Sequence, residues 1–100
     1  ELMMLDLAAI WGLPVVLVAR SGLGTLNHTL LSLQALRGRG VAVAGVVLNG
    51  PPNPANSRTI AQLGKVRILA EVGHMPALSS ASVAEAAATF PAWEAVCTRP

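Results

Sequence analysis

The sequence of 100 residues has few charges, few aromatic side chains and a single cysteine. Charged residues make up 12% of the chain, against roughly 25% in ordinary globular proteins. Disorder requires low hydrophobicity together with high charge, so a hydrophobic content of 53% excludes a disordered chain. The lone Cys97 excludes a disulfide framework and a cysteine-rich zinc site.

Long apolar runs are also absent from the sequence. The purest apolar block, residues 41–48, is far shorter than the roughly 20 residues that a membrane-spanning helix needs. Seven Lys and Arg residues form no basic stripe, and only 3% of residues are aromatic. We therefore expect neither a membrane nor a nucleic acid as a partner. No secretory signal is visible, so a cytoplasmic location is expected. The scarcity of charge indicates that more chain or a partner covers part of the surface.

Hydrophobic periodicity predicts one domain in which helices alternate with strands. The predicted helices cover residues 1–11, 25–37 and 54–63, and a fourth runs from Ser80 or Ser82 to about Thr89. The predicted strands cover residues 14–19, 41–48 and 66–69, with an extension of the third to 72 left open. This order is typical of a parallel α/β sheet flanked by helices. No element is predicted for residues 91–100.

Local signals define several of these predicted boundaries. Gly12 and Pro14 end the first helix, Asn53 is a plausible N-cap of the third helix, and Gly64 closes it. The run 14–19 is apolar without alternation, which predicts a strand with both faces buried. The first helix is expected to bury one face that includes Leu2, Leu5 and Ala9, and the second helix a stripe of Leu26, Leu30, Leu33 and Leu36.

Ligands of parallel α/β sheets bind at the carboxyl ends of the strands. In this sequence that rule selects a first loop at residues 20–27, a second loop at 49–53 and a third loop at 72–78. The first loop carries two glycines and precedes a helix, whose first N–H groups, near Thr25, Leu26 and Asn27, favour an anion. In the alternative interpretation the glycines only form the turn and Thr25 only caps the helix. The loop has no dinucleotide fingerprint, and the chain has no G-K-[ST] motif.

The second and third loops offer polar groups at the same edge. The side-chain amide of Asn49, which directly follows a predicted buried strand, has the donor and acceptor that match the N6/N7 edge of adenine. Alternatively, this is a segment of turn formers. Glu71, before the third loop, binds a sugar hydroxyl, binds a basic side chain or is solvated, and the sequence leaves these options open.

Candidate catalysts are scarce in this sequence. Paired carboxylates, a nucleophile with a partner histidine, and metal ligands at regular spacing are all missing. His28 is more typical of a surface or packing residue than of a base. The residues by themselves predict an α/β domain that binds a small anionic or nucleotide ligand and has no chemistry of its own.

Two segments carry a resemblance to a known family. G-L-P-V-V-L-V-A-R-S-G-L-G-T-L-N-H-T-L-L at residues 12–31 and G-V-V-L-N-G at 45–50 resemble the C-terminal half of dethiobiotin synthetase, and the likeness extends from residue 1 to about 88. The resemblance implies a P-loop NTPase fold, a homodimer and the penultimate step of biotin synthesis. In that step CO2 and Mg-ATP close a ureido ring on 7,8-diaminononanoate, with release of ADP and phosphate.

The resemblance also implies roles for particular residues. The substrate carboxylate is expected at the loop and helix start formed by Gly24, Thr25, Leu26 and Asn27, across the dimer interface. An aspartate at Thr25 is therefore expected to weaken binding of the diamino acid. The adenine base is expected against Asn49 and Gly50, and against the third loop at Gly73, His74 and Met75. Residues 70–73 read A-E-V-G where members of the family often read G-E-[IVL]-P.

The phosphate loop, the catalytic lysine and the magnesium-binding acids of that family lie upstream of the matched region. The resemblance therefore implies that these 100 residues form the C-terminal part of a single domain, carry no catalytic or metal residue and are inactive alone. Two alternatives stay open on the sequence: a related P-loop ligase of the cobyrinic acid amidase type, and a non-catalytic α/β binding module.

Overall fold

The computed structural model describes residues 3–22 and 24–97, except for the side chains of Trp93 and Cys97. Its helices are α1 (Met4–Trp11), α2 (Thr25–Gly38), α3 (Pro54–Gly64), α4 (Ser80–Ala87) and α5 (Trp93–Cys97). Its strands are β1 (Val15–Arg20), β2 (Val43–Asn49) and β3 (Ile68–Val72). Within this part of the chain, no helix is long and apolar enough to cross a membrane.

The three strands form one parallel sheet in the order β1-β2-β3, which confirms the predicted fold class. Leu33 of α2 and Ile60 of α3 pack against Val46 and Leu48 on one face of the sheet. On the other face, Val96 of α5 packs against the strands, where it contacts Val47 and Leu69. The central strand is therefore buried on both sides, as its unbroken apolar sequence predicts.

The prediction that both faces of β1 are buried is wrong. Val16 and Val18 are 38% and 63% exposed, while the alternate residues Leu17 and Ala19 pack against the core. β1 is an edge strand of the described sheet, and α2 lies over only one of its faces. The apolar run thus specifies a strand with two apolar faces, of which the described residues cover one.

Helix ends agree with the sequence prediction at two positions and differ at two others. Gly12 ends α1 in the left-handed conformation, and the Asn53 side chain accepts a hydrogen bond from the N–H of Asn56 at 3.2 Å, as a helix cap does. Gly64 was expected to close α3, but it is helical, and the left-handed residue is Lys65, with φ of 49°. Similarly, the N-cap of α4 is Ser79 rather than Ser80 or Ser82.

The Gly64 difference has a physical cause. The Arg37 guanidinium of α2 donates hydrogen bonds to the carbonyl oxygens of Gly64 and Lys65, so a side chain from another helix satisfies the end of α3. Gly64 also lies where α2 and α3 meet closely, since a Cβ there would lie 2.8 Å from Cδ1 of Leu33, which would have to shift. The glycine pattern therefore indicates close packing rather than a helix stop.

The remaining predictions for helices are met in part. Leu33 is buried and Leu26, Leu30 and Leu36 are half-buried, which confirms the stripe on α2. Leu5 and Ala9 of α1 are half-buried, and Leu2 lies outside the described residues. Helix α5 was not predicted, and it has only five residues.

Asp6 gives the fold a small acid-sensitive contact. The N–H of Met3 donates to its carboxylate at 2.9 Å and Arg39 forms an ion pair with it, and these two interactions lower the pKa of Asp6. A carboxyl whose pKa is lower in the folded state stabilises the protein above its unfolded pKa, and this contribution is lost as the pH falls through the folded value. We expect Asp6→Asn to lower the free energy of unfolding slightly at pH 7 and to have a smaller effect as the pH falls through the acid range. Denaturant titrations of both proteins across this range measure the difference, and a difference that does not change with pH would contradict the assignment.

Candidate functional site

The carboxyl ends of the three strands lie side by side at one edge of the sheet. Arg20 of β1 pairs with Asn49 of β2, which pairs in turn with Val72 of β3. These three residues are the last of their strands, so the first, second and third loops leave the sheet at neighbouring positions. Asn49, on the central strand, lies between the starts of the other two loops.

The first loop leads directly into α2. Gly24 is the N-cap residue in a left-handed conformation, with φ of 87°, which accounts for a glycine at this position. The N–H of Thr25 donates to the carbonyl oxygen of Gly22 at 3.3 Å and is therefore used within the turn. Leu26 and Asn27 are then the two first-turn residues whose N–H groups find no acceptor among the described residues.

Thr25 lies below this helix end rather than on its surface. Its side chain is buried, and its hydroxyl lies 3.2 Å from the hydroxyl of Thr29, which is also buried. Both threonines line a cavity of about 330 Å³ between β1 and α2, together with Arg20 and His28. Sequence reasoning missed Thr29, although the spacing of four residues between two threonines on a helix was a usable signal.

Burial of Thr25 changes how the anion site is best tested. An aspartate at this position would carry its charge into a buried site and disturb the fold, so weakened binding would not identify the site. Asn27, by contrast, is exposed in the same helical turn.

For the diamino acid that the resemblance implies as substrate, Asn27→Asp is expected to raise KM roughly tenfold in the gene product that contains this chain, which corresponds to about 1.4 kcal/mol. The new carboxylate would repel the carboxylate of the substrate, whereas an acid in the first turn of a helix favours the helix itself. Binding and stability should therefore change in opposite directions. Steady-state kinetics and thermal unfolding measure the two effects.

Gln34→Glu is the matched control, because it makes the same change of charge on an exposed part of α2 away from its N-terminus. It is expected to leave this KM unchanged. If the two substitutions change KM equally, or if Asn27→Asp leaves KM unchanged, the substrate carboxylate does not bind at the N-terminus of α2.

The second loop places an exposed amide at the sheet edge. Asn49 is exposed, and no hydrogen bond engages its side chain within the described parts of the chain. Gly50 follows with φ of 135°, and its N–H donates to the carbonyl oxygen of Val72 at 2.8 Å. The backbone of this loop is thus fixed to the neighbouring strand while the Asn49 amide stays available to a ligand.

The third loop borders a second cavity of about 340 Å³, against α4. Gly73, His74 and Met75 line this cavity, and Asn49 lines neither this cavity nor the one beside α2. The predicted base-contacting residues therefore occupy neighbouring places along one edge rather than a single cavity. Gly73 stands where members of the family often have proline. It has open space around its Cα and no positive φ, so the fold does not require glycine at this position.

Glu71 makes a direct contact with α3 that the sequence did not predict. Its carboxylate oxygen Oε1 accepts a hydrogen bond from the Ser57 hydroxyl at 2.7 Å. Glu71 therefore joins the end of β3 to α3, and it also lines the second cavity.

A magnesium site does not fit the residues that the structure describes. Among residues 3–22 and 24–97, no group of three or more His, Cys, Asp or Glu side chains could hold a metal ion. The edge does offer the Asn49 amide, backbone N–H groups and the Arg20 guanidinium, which can bind ligands by hydrogen bonds and charge. No chemical step at this edge is assigned to a metal.

Comparison with known proteins agrees with the resemblance seen in the sequence. The chain is 52% identical over 82 residues to the ATP-dependent dethiobiotin synthetase of Paramagnetospirillum magneticum, covering 82% of this chain and 40% of that protein. It is 44% identical over 86 residues to the enzyme of the same name from Agrobacterium fabrum, covering 86% of this chain and 41% of that protein. With a biotin biosynthesis bifunctional protein of Bordetella avium it shares 48% identity over 81 residues, which are 81% of this chain and 17% of that protein.

The likeness to dethiobiotin synthetases that the sequence predicted is thereby confirmed. The chain spans about two fifths of the length of the Paramagnetospirillum and Agrobacterium relatives. A family model described as an AAA domain matches residues 1–82. Since that match covers more than four fifths of the sequence, the chain belongs to the AAA domain family.

Proposed function

We propose that this chain is the part of an ATP-dependent dethiobiotin synthetase that binds the adenine base of ATP and the carboxylate of the diamino acid substrate. The reaction would convert 7,8-diaminononanoate, CO2 and ATP to dethiobiotin, ADP and phosphate. In it a carbamate forms on one amine, ATP phosphorylates the carbamate, and the second amine displaces the phosphate as the ring closes.

The observation that carries this proposal is the pairing of Arg20, Asn49 and Val72 at the carboxyl edge of the sheet. That pairing brings the end of β2, which carries an exposed amide, next to the end of β1, from which the first loop leads into the N-terminus of α2. The amide suits adenine and the helix N-terminus suits a carboxylate. Relatives at 44–52% identity are named ATP-dependent dethiobiotin synthetases, which supports ATP as a ligand and dethiobiotin as the product.

Within this proposal, the described residues bind and orient the substrates. Leu26 and Asn27 hold the carboxylate tail through their N–H groups, and Asn49 holds adenine with Gly50, Gly73, His74 and Met75 near the base. Phosphoryl transfer also needs the phosphate loop and the magnesium-binding acids, which the resemblance places upstream of this chain. Magnesium and a homodimer with the carboxylate across its interface belong to the proposal through the resemblance alone. A cytoplasmic location belongs to it through the sequence, in which no secretory signal is visible.

The experiment that tests the proposal is an assay of the gene product that contains this chain. With 7,8-diaminononanoate, bicarbonate and ATP, we expect dethiobiotin and ADP to form in equal amounts, identified by mass spectrometry. The isolated 100 residues are expected to form none, because the sequence contains no G-K-[ST] phosphate loop. ATP consumption without dethiobiotin, or dethiobiotin made by the isolated 100 residues, would contradict the proposal.

A further inference from the structure

Ser21 lies where the first and second loops meet at the sheet edge. Its side chain is 3% exposed, and its hydroxyl donates a hydrogen bond to the carbonyl oxygen of Pro51 at 2.6 Å. Its backbone N–H donates to the carbonyl oxygen of Asn49 at 3.1 Å. A single residue of the first loop therefore holds the second loop on both sides of Gly50.

Gly50 makes this contact unusually close. A Cβ at Gly50 would lie 2.6 Å from the Ser21 hydroxyl oxygen, and φ of 135° is a backbone conformation that other residues rarely adopt. On its other side the second loop is tied to β3 by the N–H of Gly50. The loop thus passes directly over the Ser21 hydroxyl between two fixed strands.

We propose that Ser21 is a positioning residue for adenine recognition, acting through Asn49 rather than on the ligand. This inference rests on the proposed function, in which the Asn49 amide meets the N6/N7 edge of the base. A bidentate amide contact depends on direction as well as distance. Because Ser21 fixes the carbonyl groups of Asn49 and Pro51, it fixes where the Asn49 side chain begins. Loss of its hydroxyl shifts the amide and reduces the preference for adenine over a base with a 6-oxo group.

The test compares the binding of ATP and inosine triphosphate to the gene product that contains this chain, by calorimetry. In Ser21→Ala we expect the preference for ATP to fall about threefold to tenfold, through weaker ATP binding and nearly unchanged inosine triphosphate binding. A merely structural effect would weaken both nucleotides alike. Ser21→Thr keeps the hydroxyl and is expected to keep the preference.

Ser57→Ala is the matched control, since it removes a serine hydroxyl that bonds to Glu71 rather than to the second loop. It is expected to keep the preference for ATP. A preference lost equally in Ser57→Ala and Ser21→Ala would overturn the role of Ser21.

Amide hydrogen exchange provides a readout that needs no ligand. In Ser21→Ala, the N–H of Gly50, which is bonded to the carbonyl oxygen of Val72, is expected to exchange several times faster, while the unfolding midpoint of the protein changes little. Unchanged exchange in Ser21→Ala would overturn the proposal. Faster exchange with an unchanged preference for ATP would also overturn it, and so would a wild-type protein that binds ATP and inosine triphosphate equally. A wild type that prefers ATP, loses the preference in Ser21→Ala and makes no dethiobiotin would support the role of Ser21 and contradict the proposed function.

Discussion

Under the proposed function, replacing Asn49 by alanine in the gene product that contains this chain is expected to raise KM for ATP about tenfold to 100-fold and to leave KM for 7,8-diaminononanoate nearly unchanged. A bidentate amide contact with a base edge contributes about 1–3 kcal/mol to discrimination, and 1.4 kcal/mol corresponds to tenfold in affinity. Asn49 is exposed at the end of β2, so its truncation leaves the core intact. Steady-state kinetics with each substrate varied in turn measures both constants.

Gln34→Ala is the control for this substitution, because it removes an exposed amide from the middle of α2. Neither KM is expected to change in that variant. If Asn49→Ala leaves KM for ATP unchanged, Asn49 does not contact the base. If it raises both constants equally, the substitution disturbs the edge as a whole.

Gly45→Ala is expected to lower the free energy of unfolding by about 1–3 kcal/mol, the usual cost of overpacking a core. Gly45 is buried in β2, where an added Cβ would lie 2.5 Å from Cγ of Leu69 and 2.9 Å from the carbonyl oxygen of Arg67. The Leu69 side chain can move, but the Arg67 carbonyl belongs to the backbone of the neighbouring chain segment. Relief would therefore require β2 and the start of β3 to separate slightly.

Gly38→Ala provides the matched comparison. Gly38 ends α2 without a positive φ, and nothing lies within 4 Å of an added Cβ. This substitution is expected to be neutral or to stabilise the protein by up to about 1 kcal/mol, because alanine restricts the unfolded chain. Urea titration measures the free energy of unfolding of both variants. Equal values would show that Gly45 is not required for close packing of the strands.

The alternation of strands and helices was predictable from the sequence because each element carries a local pattern. The leucine stripe of α2 and the Asn53 cap of α3 both specify structure through neighbours in the chain, and both are confirmed. The exposure of Val16 and Val18 was not predictable, since it depends on what lies beside β1 rather than on β1 itself. The left-handed residue at the end of α3 is Lys65 rather than Gly64 for a similar reason. The hydrogen bonds that satisfy this helix end come from Arg37, which belongs to another helix.

The candidate site likewise has features that the sequence predicts and features that depend on the fold. The rule of strand carboxyl ends located three loops, and the register of Arg20, Asn49 and Val72 brings those loops together at one edge. Sequence gave no signal for Ser21, whose partners are 28 and 30 residues away, because contacts at such separation follow from the fold. The roles of the residues at this edge stay predictions, which measurements of ligand binding can test.

Photolabelling with 8-azido-ATP tests the central claim most directly. The gene product that contains this chain is irradiated with the probe, digested with trypsin and mapped by mass spectrometry, with ATP as competitor. We expect labels that ATP suppresses in the peptide of residues 40–58, which holds Asn49, or in the peptide that begins at Ile68, which holds the third loop. Suppressible labels found only outside these two peptides would contradict the placement of adenine at the carboxyl edge of the sheet.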